Sequence, residues 1–372
     1  MSDEVLIEEK GGTGLITLAR PRALNALSLG MVRALTAALL SWRDDARIHA
    51  VAIRGMGKDA ASPTGSAPFG AFCAGGDIRF FHQAALAGDP SLEDFFTEEY
   101  TLNHLIHHYP KPYIAFLDGI VMGGGMGIAG HGGANSLRVV TPRSRMAMPE
   151  TQIGLFPDVG GGHFLSRCPG RMGEYLALTG HVFGGADAVS LGLADGVVEA
   201  ASLPAMWEAL AQVNPASLHD KIAMFFIAGQ QELAGAAAEI DHYFGLETVT
   251  AIVQALEGAP GDWARDTAAA LRRRSPLMLH VVLEQVRRAR HMTLADDLRM
   301  ERDLVRHSFH TAHLRRSATS SETVEGIRAL AVDKDHTPHW NPARIEDITP
   351  DMVAPFFVSP WPAHAHPLAS LR

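Results

Sequence analysis

DGIVMGGGMGIAGHGG at residues 118–133, the strand-like SLRVV at 136–140 and MAMPETQIGLFPDVGGG at 146–162 form the stretch whose reading decides the fold. An apolar run at 113–116, YIAF, precedes it and reads as a buried strand. Gly123, Gly124 and Gly125 then open a segment with small residues at helical spacing. A strand that feeds a glycine-rich helix start exposes backbone N–H groups and the positive end of a helix dipole. Something negative is therefore expected there, either a phosphate or a developing oxyanion.

The arrangement recurs upstream. FCAGGDIRFF at 72–81 passes from a strand through Gly75 and Gly76 to a helix expected to begin near Asp77. Ahead of it, strand-like runs at 5–9 and 14–19 flank the turn Gly11-Gly12, and Pro21 ends the second run. Ser28 has the character of an N-cap for an amphipathic helix reaching Trp42, with Met31, Leu35, Ala38 and Leu39 on the same face. A short strand is expected at 51–54 and a surface loop at 57–70, where glycine, proline and serine accumulate. Downstream, helices are expected at 164–178 and 186–191, and beyond residue 200 the strand signals fade into amphipathic helices. The chain thus divides into a core at 1–200, which carries the glycine and acid motifs, and a mainly helical region at 201–372. Ser275 and Pro276 read as a cap and an N1 proline, and a helix at 294–314 carries its acids early and its basic groups late. Prolines at 338, 342, 350, 355 and 360 make the tail largely irregular.

The 372 residues, 47% of them hydrophobic, can bury a substantial core, and the length suggests two domains. A net charge of −9 argues against a broad nucleic-acid surface, so an anionic ligand must be held by local donors. The opening MSDEVLIEEK carries acids where a targeting segment carries basic groups, and no apolar run is long enough to span a bilayer, so a cytoplasmic protein without a membrane partner is expected. Cys73 and Cys168 are too few for a disulfide framework or a thiolate metal site.

One helix narrows the chemistry. Over 92–108, Phe95, Leu102 and Ile106 share a stripe, and Glu99 falls on it four positions after Phe95, whereas Glu98 points about 100° away toward solvent. A carboxylate on an apolar stripe is costly unless paired or protonated, so Glu99 is either a structural hydrogen-bond partner or a site residue. Glu150 and Asp158, eight positions apart in MPE and FPD, are turn-borne acids. Each is either a cap or a group that its rigid proline neighbour points into a cleft. Their company favours the cleft: two glycine donor sites, Gly75-Gly76 and Gly123-Gly124, which would form an oxyanion hole if they converged on one oxygen. Weaker patterns are also present. Gly125, Gly127 and Gly130 satisfy G-x-G-x-x-G, with Arg143 and Arg145 after the next strand as conceivable phosphate ligands, but a lone match carries little weight. No G-x-S-x-G elbow occurs, and His310 and His313 on one helix face lack an adjoining acid for a metal, so they read as surface histidines.

The segments FCAGGDIR, DGIVMGGGMGIAG, MPETQIGLFPDVGGG and VDKDHTPHWNP resemble those of the crotonase, or enoyl-CoA hydratase/isomerase, superfamily, and within it the 3-hydroxyisobutyryl-CoA hydrolase branch. The resemblance runs over 5–357. It implies an α/β fold, a spiral of ββα units with an extended C-terminal helical region. It also implies that the amides of Gly76 and Gly124 form the oxyanion hole, that Glu150 is the catalytic carboxylate, that Asp158 is a second acid, and that Glu99 lines the substrate site. Hydratases of this type carry a glutamate where this chain has Gly127, and they lack an acid at Asp158.

The chemistry so implied is hydrolysis of a short 3-hydroxyacyl-CoA thioester, most closely 3-hydroxyisobutyryl-CoA, in valine catabolism. Glu150 would attack the carbonyl to give a mixed anhydride or activate a water. Coenzyme A belongs to the substrate, no metal or other cofactor is implied, and a homo-oligomer is left open. Two alternatives stand beside this reading. An enoyl-CoA hydratase or isomerase is opposed by Gly127 and Asp158. A non-catalytic acyl-CoA binding protein is opposed by the retained Glu150 and Asp158.

Overall fold

A computed structural model describes residues 4–58, 68–212 and 218–372. Most of the loop expected at 57–70 lies outside the described residues. Two glycines start the main sheet: β1 (Val5–Lys10) and β2 (Thr13–Leu18) form an antiparallel hairpin with Lys10 opposite Thr13. Gly11 and Gly12 take φ of 58° and 83°, the left-handed pair that a two-residue hairpin turn requires. From β2 the sheet continues in parallel through β3 (Ala50–Gly55), β4 (Tyr113–Leu117), then β6 (Ser136–Val140) and β9 (Gly196–Val197). A second sheet pairs β5 (Ile120–Met122) with β7 (Arg145–Ala147) in parallel, and β8 (Phe183–Gly184) antiparallel to β7. The chain therefore places β4 in one sheet and β5 in the other, then repeats the move with β6 and β7.

Among the described residues, all nine strands belong to one of two compact units, Met1–Gly76 with Thr101–Ala147 and Val182–Ala234. Its core follows the period of two along each strand. Leu15, Ala52, Ile114, Phe116, Leu137 and Val139 present one face, covered by Leu203, Met206, Trp207 and Leu210. The helix Leu29–Arg43 is capped by Ser28, whose Oγ accepts from the Met31 N–H at 3.2 Å, and it buries the expected face together with Val32.

The other unit comprises Asp77–Tyr100, Met148–His181 and Gly235–Arg372, and its described elements are helices and turns. Two expectations are corrected here. The single helix at 164–178 is two, Gly161–Leu165 and Met172–Thr179, because Pro169 lacks an N–H and Gly170 turns left-handed at φ 57°. A side chain at Gly170 would run into Asp241, whose carboxylate accepts from the Arg171 N–H at 2.7 Å. The helix at 294–314 ends at Phe309, after which the buried Thr311 hydroxyl donates to the carbonyls of Arg316 and Ser317 and bends the chain into a 3-10 turn. Ser275 caps Pro276–Ala289 as expected, accepting from the Met278 N–H at 3.3 Å.

Candidate active site

Gly76 and Gly124 lie in the first unit, at the ends of two extended segments that run side by side. Cys73 pairs in parallel with Val121: the Cys73 N–H donates to Ile120 O at 3.0 Å, and the Met122 N–H returns to Cys73 O at 2.9 Å. Both segments leave the pairing through left-handed glycines, Gly75 at φ 99° and Gly123 at φ 50°. The two turns are in contact, since a Cβ built on Gly75 would lie 3.5 Å from the Gly124 nitrogen. Gly124 is the first residue of its helix, so its N–H has no intrahelical acceptor, and Gly76 stands just ahead of Asp77, the N-cap of Ile78–Ala87. The helix Gly124–Gly127 is only one turn long. The dipole behind Gly124 is therefore slight, and any stronger helix dipole in this pair of turns belongs to Ile78–Ala87 behind Gly76.

Other readings of this region fall away on contact geometry. Gly125 is explained by packing, because a Cβ there would come within 2.3 Å of Cys73 O. Arg143 is committed to Asp118, which also accepts from the Thr141 hydroxyl at 2.7 Å, and it is not a phosphate ligand in waiting.

The acids lie in the second unit, where Glu99, Glu150 and Asp158 come together. Glu99 is 2% exposed on the helix Ser91–His107, facing inward as its stripe with Phe95 predicts. Glu98 is half-buried rather than solvated. Glu150 opens the 3-10 turn Glu150–Ile153 directly after Pro149 and is 7% exposed, while Asp158 follows Pro157 and is 6% exposed. The Tyr100 hydroxyl donates to Asp158 Oδ2 at 2.8 Å. Among the described residues, Glu99 Oε1 and Glu150 Oε2 are buried without a hydrogen-bond partner. Burial, then the charges of Asp158 and Glu150, push the Glu99 carboxyl well above the usual range. Burial and Asp158 do the same to Glu150. Asp158 rises to about 7 through burial, against the hydrogen bond from Tyr100. Three acids, with no cation among the causes that set their ionisation, thus hold protons between them. A set of carboxyls in that state can supply both an acid and a base.

Tyr100 escaped the sequence reading. Its signal was present in Phe96, four positions earlier on the helix and 6.1 Å away ring to ring. The turn that carries Glu150 is buttressed by the helix Glu322–Ile327: the Thr323 hydroxyl donates to Gly154 O at 2.7 Å, and a Cβ on Gly326 would lie 2.3 Å from the Ile153 carbonyl carbon. The VDKDHTPHWNP motif supports that helix, because the His339 N–H donates to Glu325 at 2.7 Å and the Asn341 N–H to Glu322 at 2.9 Å. His310 and His313 do not share a helix. His310 caps Leu294–Phe309 and reaches Glu93, and His313 sits half-buried in the following turn. Cys73 and Cys168 are buried, and their thiols donate to the carbonyls of Gly75 and Phe164, each at 3.7 Å. Among the described residues no group of three or more His, Cys, Asp and Glu could hold a metal ion, and no helix is long and apolar enough to cross a membrane.

The family described as enoyl-CoA hydratase/isomerase matches residues 13–357. The 3-hydroxyisobutyryl-CoA hydrolase, mitochondrial, of Xenopus tropicalis is 38% identical over 365 residues, which is 96% of this chain and 89% of that protein. The protein called probable 3-hydroxyisobutyryl-CoA hydrolase 3 of Arabidopsis thaliana is 35% identical over 95% of this chain and 91% of its own length. Two crystal structures superpose closely. One is described as a carnitinyl-CoA dehydratase from Mycobacterium thermoresistibile, with TM-score 0.84 and 36% identity over 96% of this chain and 97% of that one. The other is described as an enoyl-CoA hydratase from Rhodobacter sphaeroides, with TM-score 0.83 and 35% identity over 96% and 98%.

Proposed function

The chain belongs to the enoyl-CoA hydratase/isomerase family, and from that premise we propose that it hydrolyses a short 3-hydroxyacyl-CoA thioester, with 3-hydroxyisobutyryl-CoA as the first substrate to test. The observation that carries this reading is the identity of 35–38% to the 3-hydroxyisobutyryl-CoA hydrolases over nearly the whole chain. The buried trio of acids supports it chemically.

In this reading the amides of Gly76 and Gly124 stabilise the thioester oxyanion, each such donor being worth about 10²–10³ in rate. Glu150 is the reacting carboxylate. On one route it bonds to the carbonyl carbon, the C–S bond breaks, and the CoA thiolate leaves with a proton from the acid trio. Water then cleaves the mixed anhydride to the free acid and restores Glu150. On the other route Glu150 takes the proton of a water that attacks the carbonyl carbon, the C–S bond breaks to give the free acid, and the CoA thiolate leaves with the proton that Glu150 took up. Asp158 and Glu99 bind the 3-hydroxyl and hold the protons that these steps exchange. Label found in Glu150 after a single turnover in ¹⁸O-water would establish the anhydride route, because direct attack of water on the thioester puts all of the label in the product. Placement in valine catabolism follows from the same substrate assignment.

A second reading, hydration of an enoyl-CoA, has in its favour the descriptions of the two similar crystal structures. Gly127 and Asp158 weigh against it, since the glutamate that hydratases of this type carry is missing at Gly127. Release of free CoA thiol from 3-hydroxyisobutyryl-CoA, with hydration of crotonyl-CoA followed in parallel, decides between them. Fast thiol release without hydration is expected; hydration without thiol release would overturn the hydrolase reading.

A further inference from the structure

Glu301 and Asp297 lie one turn apart on the helix Leu294–Phe309, and both are 0% exposed. Glu301 Oε2 accepts from the Gly160 N–H at 2.7 Å and Oε1 from the Gly162 N–H at 3.0 Å, while Asp297 Oδ2 accepts from the His163 N–H at 2.8 Å. The intervening Gly161 N–H donates to the Asp158 carbonyl at 2.7 Å. The four consecutive amides that follow Val159 are all engaged, three of them by carboxylates. Gln285 closes the arrangement, its amide donating to Pro157 O at 2.6 Å and to Glu301 Oε1 at 3.2 Å. The acids approach so closely that a Cβ on Gly162 would come within 2.4 Å of Asp297 Oδ1.

The segment held in this way is strained. Val159, directly after Asp158, takes φ 57°, and Gly160 follows at φ 84°. A β-branched residue in the left-handed region is an outlier, and such a conformation persists only where its surroundings over-determine it. Burying two acids to hold one short helix start is itself costly. Burial, then the neighbouring Asp297, push Glu301 well above the usual carboxyl range, and burial pushes Asp297 up to about 6. Neither the acid pair nor the strained valine is accounted for by packing alone.

We propose that Glu301, seconded by Asp297, is a positioning residue: by gripping the amides of Gly160, Gly162 and His163 it holds the strained Asp158–Val159 turn so that the Asp158 carboxylate meets Tyr100, Glu99 and Glu150. The role rests on the hydrolase reading, in which Asp158 acts on the substrate.

The test uses the full chain as wild type, Glu301→Gln, and Glu301→Gln combined with Val159→Gly. The glutamine side chain would keep one oxygen and set an NH₂ group against the other amide. Exchange of the backbone amides of the peptide spanning 155–165 should then speed up about tenfold, and kcat for thiol release should fall about 10²-fold with KM within about threefold, as for a reacting group displaced by an ångström. Val159→Gly relieves the strain that Glu301 opposes, so the double variant should regain about tenfold in kcat, a non-additivity that a purely structural role does not produce. A kcat within threefold of wild type, or a loss that Val159→Gly leaves untouched while exchange quickens throughout the chain, would overturn the proposal. If wild type releases no thiol, the hydrolase reading fails on its own. The exchange comparison still decides the grip, since unchanged protection across 160–163 refutes it. Should Glu301→Gln not fold, Asp297→Ala, which removes the His163 contact and the Asp297–Glu301 hydrogen bond but leaves the Gly160 and Gly162 contacts, carries the same comparison.

Discussion

Glu93 and Glu99 stand on one helix, Ser91–His107, and meet opposite environments. Glu93 is gripped by three groups from the helix Leu294–Phe309 and its cap: Arg302, Arg306 at 2.6 Å and His310 at 3.0 Å. Burial pushes its carboxyl up, but His310, Arg302 and Arg306 together outweigh burial and hold it well below the usual range. Glu99 has no such partner among the described residues, and burial drives it the other way. The same fold therefore neutralises one glutamate completely and leaves its neighbour, along with Glu150 and Asp158, in want of a proton. A carboxylate supplied with cations is a strut, whereas carboxyls crowded together without them are poised to exchange protons.

The contrast breaks most visibly at Glu150. If Glu150 is the reacting carboxylate proposed above, Glu150→Gln should lower kcat by about 10³-fold or more on either route. The melting temperature should hold or rise, because the substitution removes a buried acid that has no counter-charge. Thiol-release kinetics and a thermal melt on the same preparation check both halves. Near-normal turnover would remove Glu150 from the mechanism, and a collapse in stability would make it a strut like Glu93.

How much of this was legible in the sequence depends on how far each signal reached along the chain. Glu99 was legible because helical periodicity is local, and Phe95 lies one turn away. The turns at Gly75 and Gly123 and those of Glu150 and Asp158 were legible because glycine and proline punctuate the chain wherever they stand. Glu301 was not, since its partner Gly160 lies 141 positions away, and it occurs in a helix whose charge pattern reads simply as dipole matching. Glu93 likewise looks like an ordinary first-turn acid until Arg302, 209 positions on, meets it. The break at Pro169 and Gly170 shows the converse: an apolar period runs across residues that cannot continue a helix, and there the proline and glycine override the period.

Glu93→Gln probes the strut. It leaves Arg302, only 2% exposed, without its carboxylate and should destabilise the chain by about 2 kcal/mol, between the worth of an exposed pair and that of a fully buried one. A carboxyl whose folded pKa is depressed contributes stability that is present above its unfolded pKa and lost as pH falls through the folded value. The gap between wild type and variant should therefore be open at pH 7 and narrow as the solution is taken well below the ordinary carboxylate range. Urea unfolding at pH 7 and pH 3 measures it. A gap that does not narrow would mean that packing, and not charge, is what Glu93 supplies.

Glu99→Gln gives the smallest effect, with the opposite sign. The folded pKa of Glu99 is raised, so its contribution is fully present below the unfolded pKa and is lost as pH rises through the folded value. Glutamine does not titrate and escapes that loss. The variant should therefore match wild type near pH 4 and exceed it at pH 8 by at least about 1 kcal/mol, roughly the worth of one pKa unit. Thermal melts of both proteins at the two pH values read the difference. If the variant gains nothing at pH 8, Glu99 ionises without cost, and the distinction between the neutralised and the proton-hungry ends of this helix fails. If the gain appears and KM for the 3-hydroxyacyl thioester rises with it, stability has been exchanged for the contact that holds the 3-hydroxyl, the outcome expected of an acid left unpaired for the substrate's sake.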